Sequence, residues 1–350
     1  MKKIITSTLS FIISVTGFSQ TIWIANNNAG AVPGTNVLTG ATSLADAITA
    51  AVNGDIIYVI PSGTRHPATN ITKSVSIFGG GFNPDKPTSV TSRSLNLTIQ
   101  VNNVRISGMV VEGMLQINNV TGIMIDKSRV YRFNFLIGAG NAIIQNCIFG
   151  ESTGVNYSLQ SDLANTNLRI SNNIIYGNID GWFFRVNNTI IENNVFIGLT
   201  GSPALNVFRD GQSCSIKNNI FFGVQPRAFD APNFLNNTQD FNLSFGATDN
   251  TYSTANGNTS SNNIVGSDPL FVSQPTVTGG PVHSFSYDAH LQATSPAKGT
   301  GLGGIDMGIY GGATPFDPFG TSLPIVQTIT PPGTVYQGSN MNVRVQAKGN

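Results

Sequence analysis

Six segments of the chain align without a gap: ISGMVVEG from Ile106, IDKSRVYR from Ile125, IIQNCIFG from Ile143, ISNNIIYG from Ile170, IENNVFIG from Ile191 and IKNNIFFG from Ile216. Their starts fall 19, 18, 27, 21 and 25 residues apart. A supersecondary unit returning at that spacing is the mark of a solenoid, whose coils bury apolar surface only against one another. The sixth column is apolar in every segment (Val111, Val130, Ile148, Ile175, Phe196, Phe221), and the eighth is Gly everywhere except Arg132. β-Branched and aromatic residues alternate through each unit with no helical period, so the coils are built from short strands. The Leu lattice of leucine-rich repeats is missing. What remains is a parallel β-helix.

The fourth column carries the anomaly. It reads Met109, Ser128, Asn146, Asn173, Asn194, Asn219, although asparagine is depleted in strands and a buried amide without partners is costly. An Asn at an equivalent turn of every coil removes the conflict, since stacked amides bond along the file and the residue tolerates a left-handed backbone. Asn146, Asn173, Asn194 and Asn219 are therefore expected to stand in one structural ladder, with the eighth-column Gly allowing the next corner. Segments between the motifs, such as Phe184-Arg185-Val186 and Leu205-Asn206-Val207, read as a third strand of each coil, and coil-length insertions fall at the turns.

An open β-helix must be capped. TSLADAITAAVNGD reads as a short N-terminal capping helix with Ser43 as N-cap, Ile48 and Val52 on its buried stripe and Gly54 ending it. Upstream, MKKIITSTLSFIISVTGFSQ has two lysines, an apolar stretch and small residues, the pattern of a signal peptide over residues 1–19. The formal charge of +1 becomes −1 without Lys2 and Lys3, and with only 10% charged residues no basic stripe favours nucleic acid. No segment is long and apolar enough for a membrane span. Residues 20–320 form the β-helix domain, and residues 321–350 a small C-terminal β tail, resembling an incomplete immunoglobulin-like module.

These stretches, together with ITKSVSIFGGG and the closing NNIVGSDPLFV and SPAKGTGLGGIDMGIYGG, give a chain that over residues 22–316 resembles the right-handed parallel β-helix proteins of pectin-lyase-like fold, in their exported, Bacteroidetes-like form. The resemblance implies an all-β, right-handed solenoid and an extracellular or periplasmic location. It is specific for fold and says little of activity, because this fold hosts lyases, glycosidases, adhesins and proteins of no known chemistry.

No catalytic motif survives inspection. GESTG from Gly150 lacks the strand-to-helix turn of a nucleophile elbow, and GTGLGG from Gly299 lacks the strand and helix of a dinucleotide site. The three histidines are scattered and neither Cys has zinc-site spacing, so no metal and no cofactor is indicated. Cys147 and Cys214 lie three coils apart, roughly 14 Å along the axis at about 4.8 Å per coil, beyond disulfide reach. Trp182, Arg185, Arg209 and Asp210, from two consecutive coils, are the candidate ligand-binding group, with an indole for sugar and guanidiniums for carboxylates. The bland alternative is a solvated set of surface charges. The reading is a monomeric, exported, non-catalytic binder of polysaccharide, cell-surface glycan or another surface partner. A polysaccharide lyase or glycoside hydrolase is the first alternative, and a structural adhesin-type stalk the second.

Overall fold

The computed structural model describes residues 20–83, 90–135, 139–151, 157–161, 167–177, 182–198, 205–276, 283–317, 325–330 and 344–348. The leader pattern over residues 1–19 lies outside them. The chain is an all-β parallel solenoid with two long sheets, one of 12 and one of 16 strands. Every pairing along the 12-stranded sheet is parallel and in register from Ile22–Asn26 through Ile56–Val59, Ser76–Gly79 and Arg105–Ser107 to Thr259–Ser261. Each strand sends its middle residue inward: Ile57, Ile77, Ile106, Ile125, Ile144, Ile170, Ile191 and Ile216 are all buried. Each such Ile contributes about 1.5–3 kcal/mol of burial. Against this file packs an aromatic one from the 16-stranded sheet. Phe133 meets Phe149 at 5.1 Å, Phe184 meets Phe196 at 5.4 Å, and Phe196 stacks on Phe221 at 4.9 Å.

The third strand of each coil is not a third sheet. It continues the second strand within the 16-stranded sheet, unbroken in Val110–Ile117 and Arg129–Phe135. A register shift between Val130 and Arg132 turns the corner instead.

Helix Ser43–Ala50 packs at the N-terminal end against the first strands through Leu44, Ala47 and Ile48. Its N-cap is Thr42, one residue earlier than expected, with the Thr42 hydroxyl 2.8 Å from the Asp46 carboxylate. Val52 is exposed rather than buried, because the helix has ended before it. Its N–H instead reaches the Asp55 carboxylate, which also takes the Thr21 N–H and the Trp23 indole. At the other end the inward Ile file gives way to Gln239 and then Ser260. Polar interior residues in the last two coils blunt an edge that would otherwise invite stacking. Beyond the solenoid, Ile325–Thr330 and Arg344–Lys348 pair antiparallel.

The Asn-Asn pair divides into two jobs. Asn173, Asn194 and Asn219 form a buried hydrogen-bonded file that continues through Asn242 and Asn263. In each step a backbone N–H donates to the next coil's Oδ1, at 2.8–3.0 Å. Asn146 is not in this file. Ile144, not Ile143, pairs with Ile170, so the gapless alignment is one residue out in that coil. Cys147 takes the ladder position, and its N–H donates to Asn173 Oδ1 at 2.8 Å. Asn146 belongs with the residue before the ladder, which has positive φ in Lys127 (47°), Asn146 (54°), Asn172 (55°), Asn193 (56°) and Asn218 (56°).

A second ladder runs at the opposite end of the same strands, where Cys214 N–H donates to Asn237 Oδ1 and Asn237 N–H to Asn258 Oδ1, both at 2.9 Å. Both cysteines are free and buried, each at the head of an Asn file. The thiols imitate the amide they replace: Cys147 reaches the carbonyls of Gln145 and Ile125, and Cys214 those of Gln212 and Val186. Burial pushes both thiols up, Cys214 to about 12, so they are inert in the native protein.

Candidate functional site

The outward side of the first half of the 16-stranded sheet is apolar: Ile148, Ile174, Val195, Ile220 and Leu243 stand in one column, with Tyr176 and Ile197 beside it. That surface is not left to water. The chain returns over it after the last coil and seals it with Phe271, Ala289, Ala297, Met307, Ile309 and Phe316, making a second core outside the solenoid. The left-handed residues form the rail on which this strap lies. Leu302 N–H donates to Asn218 Oδ1 at 2.8 Å, and Asn172 Nδ2 donates to the carbonyls of Ile309 and Gly311 at 2.9 and 2.8 Å. Asp317 N–H meets Asn146 Oδ1 at 3.0 Å and its carboxylate meets Lys127 Nζ at 2.9 Å. Glycine is needed where the strap lies closest: a Cβ on Gly308 would stand 2.8 Å from Ile220 Cδ1.

Arg129 breaks the apolar column at its N-terminal end, and here a cleft opens. Its guanidinium grips Glu151 through Nε at 2.5 Å and Nη2 at 2.9 Å. Glu151 also accepts the His283 N–H from the strap at 2.6 Å, and His283 Nδ1 lies 2.8 Å from the Tyr176 hydroxyl. Burial, reinforced by the Arg129 charge, lowers the His283 pKa to about 3, so the ring is neutral in the native protein. The same guanidinium sits 5.6 Å from the Phe285 ring and 5.9 Å from the Tyr131 ring. Opposite, Glu112 is shared by Arg65 and Arg93 at 3.0 and 3.1 Å. The cavity between holds about 300 Å³, with Phe82, Arg93, Glu112, Arg129, Tyr131 and Phe285 in its walls. Among the described residues, Arg65, Arg93 and Arg129 face Glu112 and Glu151, leaving one positive charge in surplus. Among the described residues, no group of three or more His, Cys, Asp or Glu is placed to hold a metal ion.

The residues singled out from sequence stand elsewhere, on the outward side of the second half of the 16-stranded sheet. Arg185 Nε donates to Asp210 Oδ1 at 3.2 Å, and Arg209 Nε lies 3.8 Å from Asp210 Oδ2. A bulge puts Arg209 and Asp210 together opposite Arg185, since Phe184 pairs with Phe208 but Val186 with Gly211. Asp210 is buried and its pKa is raised, first by that burial, against the pull of both arginines. Trp182 pairs with Tyr157 through its backbone, and its side chain lies outside the described residues. Sequence reasoning missed Arg93, Glu112, Arg129, Tyr131 and Phe285. A signal existed for one of them: Arg129 interrupts a column in which Val110, Ile148, Ile174, Val195, Ile220 and Leu243 are apolar, with Arg93 a second charge beyond Val110.

No family model and no curated protein matches the chain. Among solved structures it is similar to a PL6 family alginate lyase, AlyGC, at 15% identity and a TM-score of 0.31, over 69% of this chain and 40% of that one. The chain thus spans less than half the length of that protein, and the likeness assigns no role to the residues of the cleft. Among the described residues, no helix is long and apolar enough to cross a membrane.

Proposed function

We propose that this protein is an exported, non-catalytic glycan binder of the pectin-lyase-like lineage, which holds an acidic polysaccharide or cell-surface glycan in the cleft beside Arg129. One observation carries the reading. A cavity of about 300 Å³ sets the Tyr131 and Phe285 rings beside guanidiniums that, among the described residues, outnumber the carboxylates. Aromatic rings offer apolar faces to sugar, and arginines fork onto uronate carboxylates. Binding is favoured over hydrolysis because both glutamates are committed to arginine. A general acid or nucleophile pair needs carboxyl groups able to exchange protons or attack across a glycosidic bond. A lyase is the second reading, supported by Tyr131, a residue with a phenolic hydroxyl, lining a cavity that also carries guanidiniums for a uronate.

Incubation with a panel of acidic and neutral polysaccharides separates the readings. Retention of an acidic polysaccharide without unsaturated products is the expected result. Unsaturated products establish a lyase, and no retention of any polysaccharide leaves the stalk.

A further inference from the structure

The strap that seals the outer core also supplies Phe285 to the wall of the Arg129 cleft, two residues after the buried His283. We propose that residues 283–287 are an acid-released catch: a proton on the His283 ring unseats this part of the strap and takes Phe285 out of the cleft wall. The catch works in this way whatever ligand the cleft holds.

His283 is seated by backbone and ring together. Its N–H donates to Glu151 Oε1 at 2.6 Å, and its Nδ1 lies 2.8 Å from the Tyr176 hydroxyl. The ring stands edge-on to Phe285 at 4.9 Å and to Tyr176 at 5.9 Å. The groups that face it leave no place for a second positive charge. From the solenoid come Arg129, Glu151 and Tyr176, and from the strap Tyr287 and Tyr310. Arg129 is already a cation. Glu151 is the carboxylate of the group, and Arg129 holds both its oxygens. The remaining walls are apolar, with Phe82, Ile148, Ile174 and Phe316 around a cavity of about 40 Å³. An imidazolium would stand here desolvated beside a guanidinium, so burial and then the Arg129 charge drive the ring's pKa down to about 3.

With this part of the strap open, the ring meets water and takes its proton at the ordinary histidine value of about 6.5. A seated pKa below the open one fixes the sign. The catch is at full strength above about pH 6.5 and weakens as pH falls toward 3. Below about pH 6 the open population rises about tenfold per pH unit. The coils do not follow, because the Asn files that hold them are built of amides, which take no proton. The other two histidines stand apart from the catch. His66 is buried against the Ala41 backbone beside the capping helix, and the exposed His290 meets the Asp288 carboxylate at 2.6 Å rather than a guanidinium.

Hydrogen exchange read by mass spectrometry, each rate divided by the intrinsic rate at that pH, tests the catch. Protection of residues 283–287 should fall about a hundredfold from about pH 7.5 to 4.5, while the coils from Ile170 to Ile220 keep theirs. His283→Gln keeps the N–H bond to Glu151 and an amide for the Tyr176 hydroxyl, but takes no proton. His283→Phe keeps the ring contacts. Both should lose the pH dependence, whatever their protection at pH 7.5, and His290→Gln should keep it. His66 is present in both His283 variants, so a slope of its making would survive in them. Constant strap protection in the wild-type protein overturns the proposal, and so does a slope that persists in either His283 variant. Equal loss in strap and coils would also overturn it, since the proton would then act on the whole fold.

Discussion

Asn194→Leu should destabilise the protein by about 2–4 kcal/mol, roughly twice the cost of a change at an exposed turn asparagine. Asn194 is fully buried, and its side chain serves both neighbours in the file. Its Oδ1 accepts the Asn173 N–H at 3.0 Å and the Asn173 amide at 2.9 Å, while its Nδ2 donates to the Ile170 carbonyl at 2.8 Å. Leucine fills the volume and meets none of these groups. It leaves the Asn173 backbone N–H without its acceptor and takes a donor from the Ile170 carbonyl, while the Asn173 amide keeps only its bond to the Ile144 carbonyl at 3.0 Å. Asn188, exposed and left-handed at φ 44° in the opposite turn, is the control. Asn188→Leu loses only the left-handed preference, about 1–2 kcal/mol. Denaturant midpoints for the two variants decide it: Asn193, not Asn194, holds the left-handed turn, so a loss for Asn194→Leu no larger than that for Asn188→Leu would mean that the ladder hydrogen bonds add little.

Glu151→Leu should cost about 3–5 kcal/mol, the range for breaking a buried pair by removing one partner. The Arg129 guanidinium would remain among Phe285, Tyr131 and the apolar column with its charge uncompensated, and the His283 N–H would lose its acceptor. The damage should be local. Hydrogen exchange in the strap around His283 and Phe285 should accelerate while the coils from Ile170 to Ile220 keep their protection, because Glu151 joins strap to solenoid and the Asn ladder holds the coils. Arg129→Leu with Glu151→Leu should cost much less than the two single losses added together. Additive losses would show that the pair does not act as a unit.

The coil was legible because each coil had to repeat the same solution. Inward Ile, corner Gly and paired Asn recur at a spacing that only stacking explains. Register was less secure. Ile143-Ile144 offered two starting points, and Gly150 drew the alignment to the wrong one, so Asn146 entered the ladder column that belongs to Cys147. The second ladder was overlooked although Asn236-Asn237 repeats the motif, because it lies before its strand rather than after it. The rail could not be read at all. Asn172 and Ile309 are 137 residues apart, and nothing in a turn asparagine says that a distant strap will lie on it. The cleft shares this difficulty, since Arg93, Arg129 and Phe285 come from separate coils and the strap. Arg185, Arg209 and Asp210 were found because consecutive coils bring them together, and neighbouring coils are what a repeat alignment can see.

Which of these two surfaces holds glycan is the direct test of the account. The polysaccharide best retained by the wild-type protein should be titrated against Tyr131→Ala and Arg185→Ala, with melting temperatures measured alongside. Losing an aromatic ring from the wall of the cleft should weaken binding about tenfold or more, with little change in melting. Arg185→Ala should bind nearly as the wild type does. Loss of binding in Arg185→Ala with retention in Tyr131→Ala would contradict the account and place the ligand on the arginine row beside Asp210.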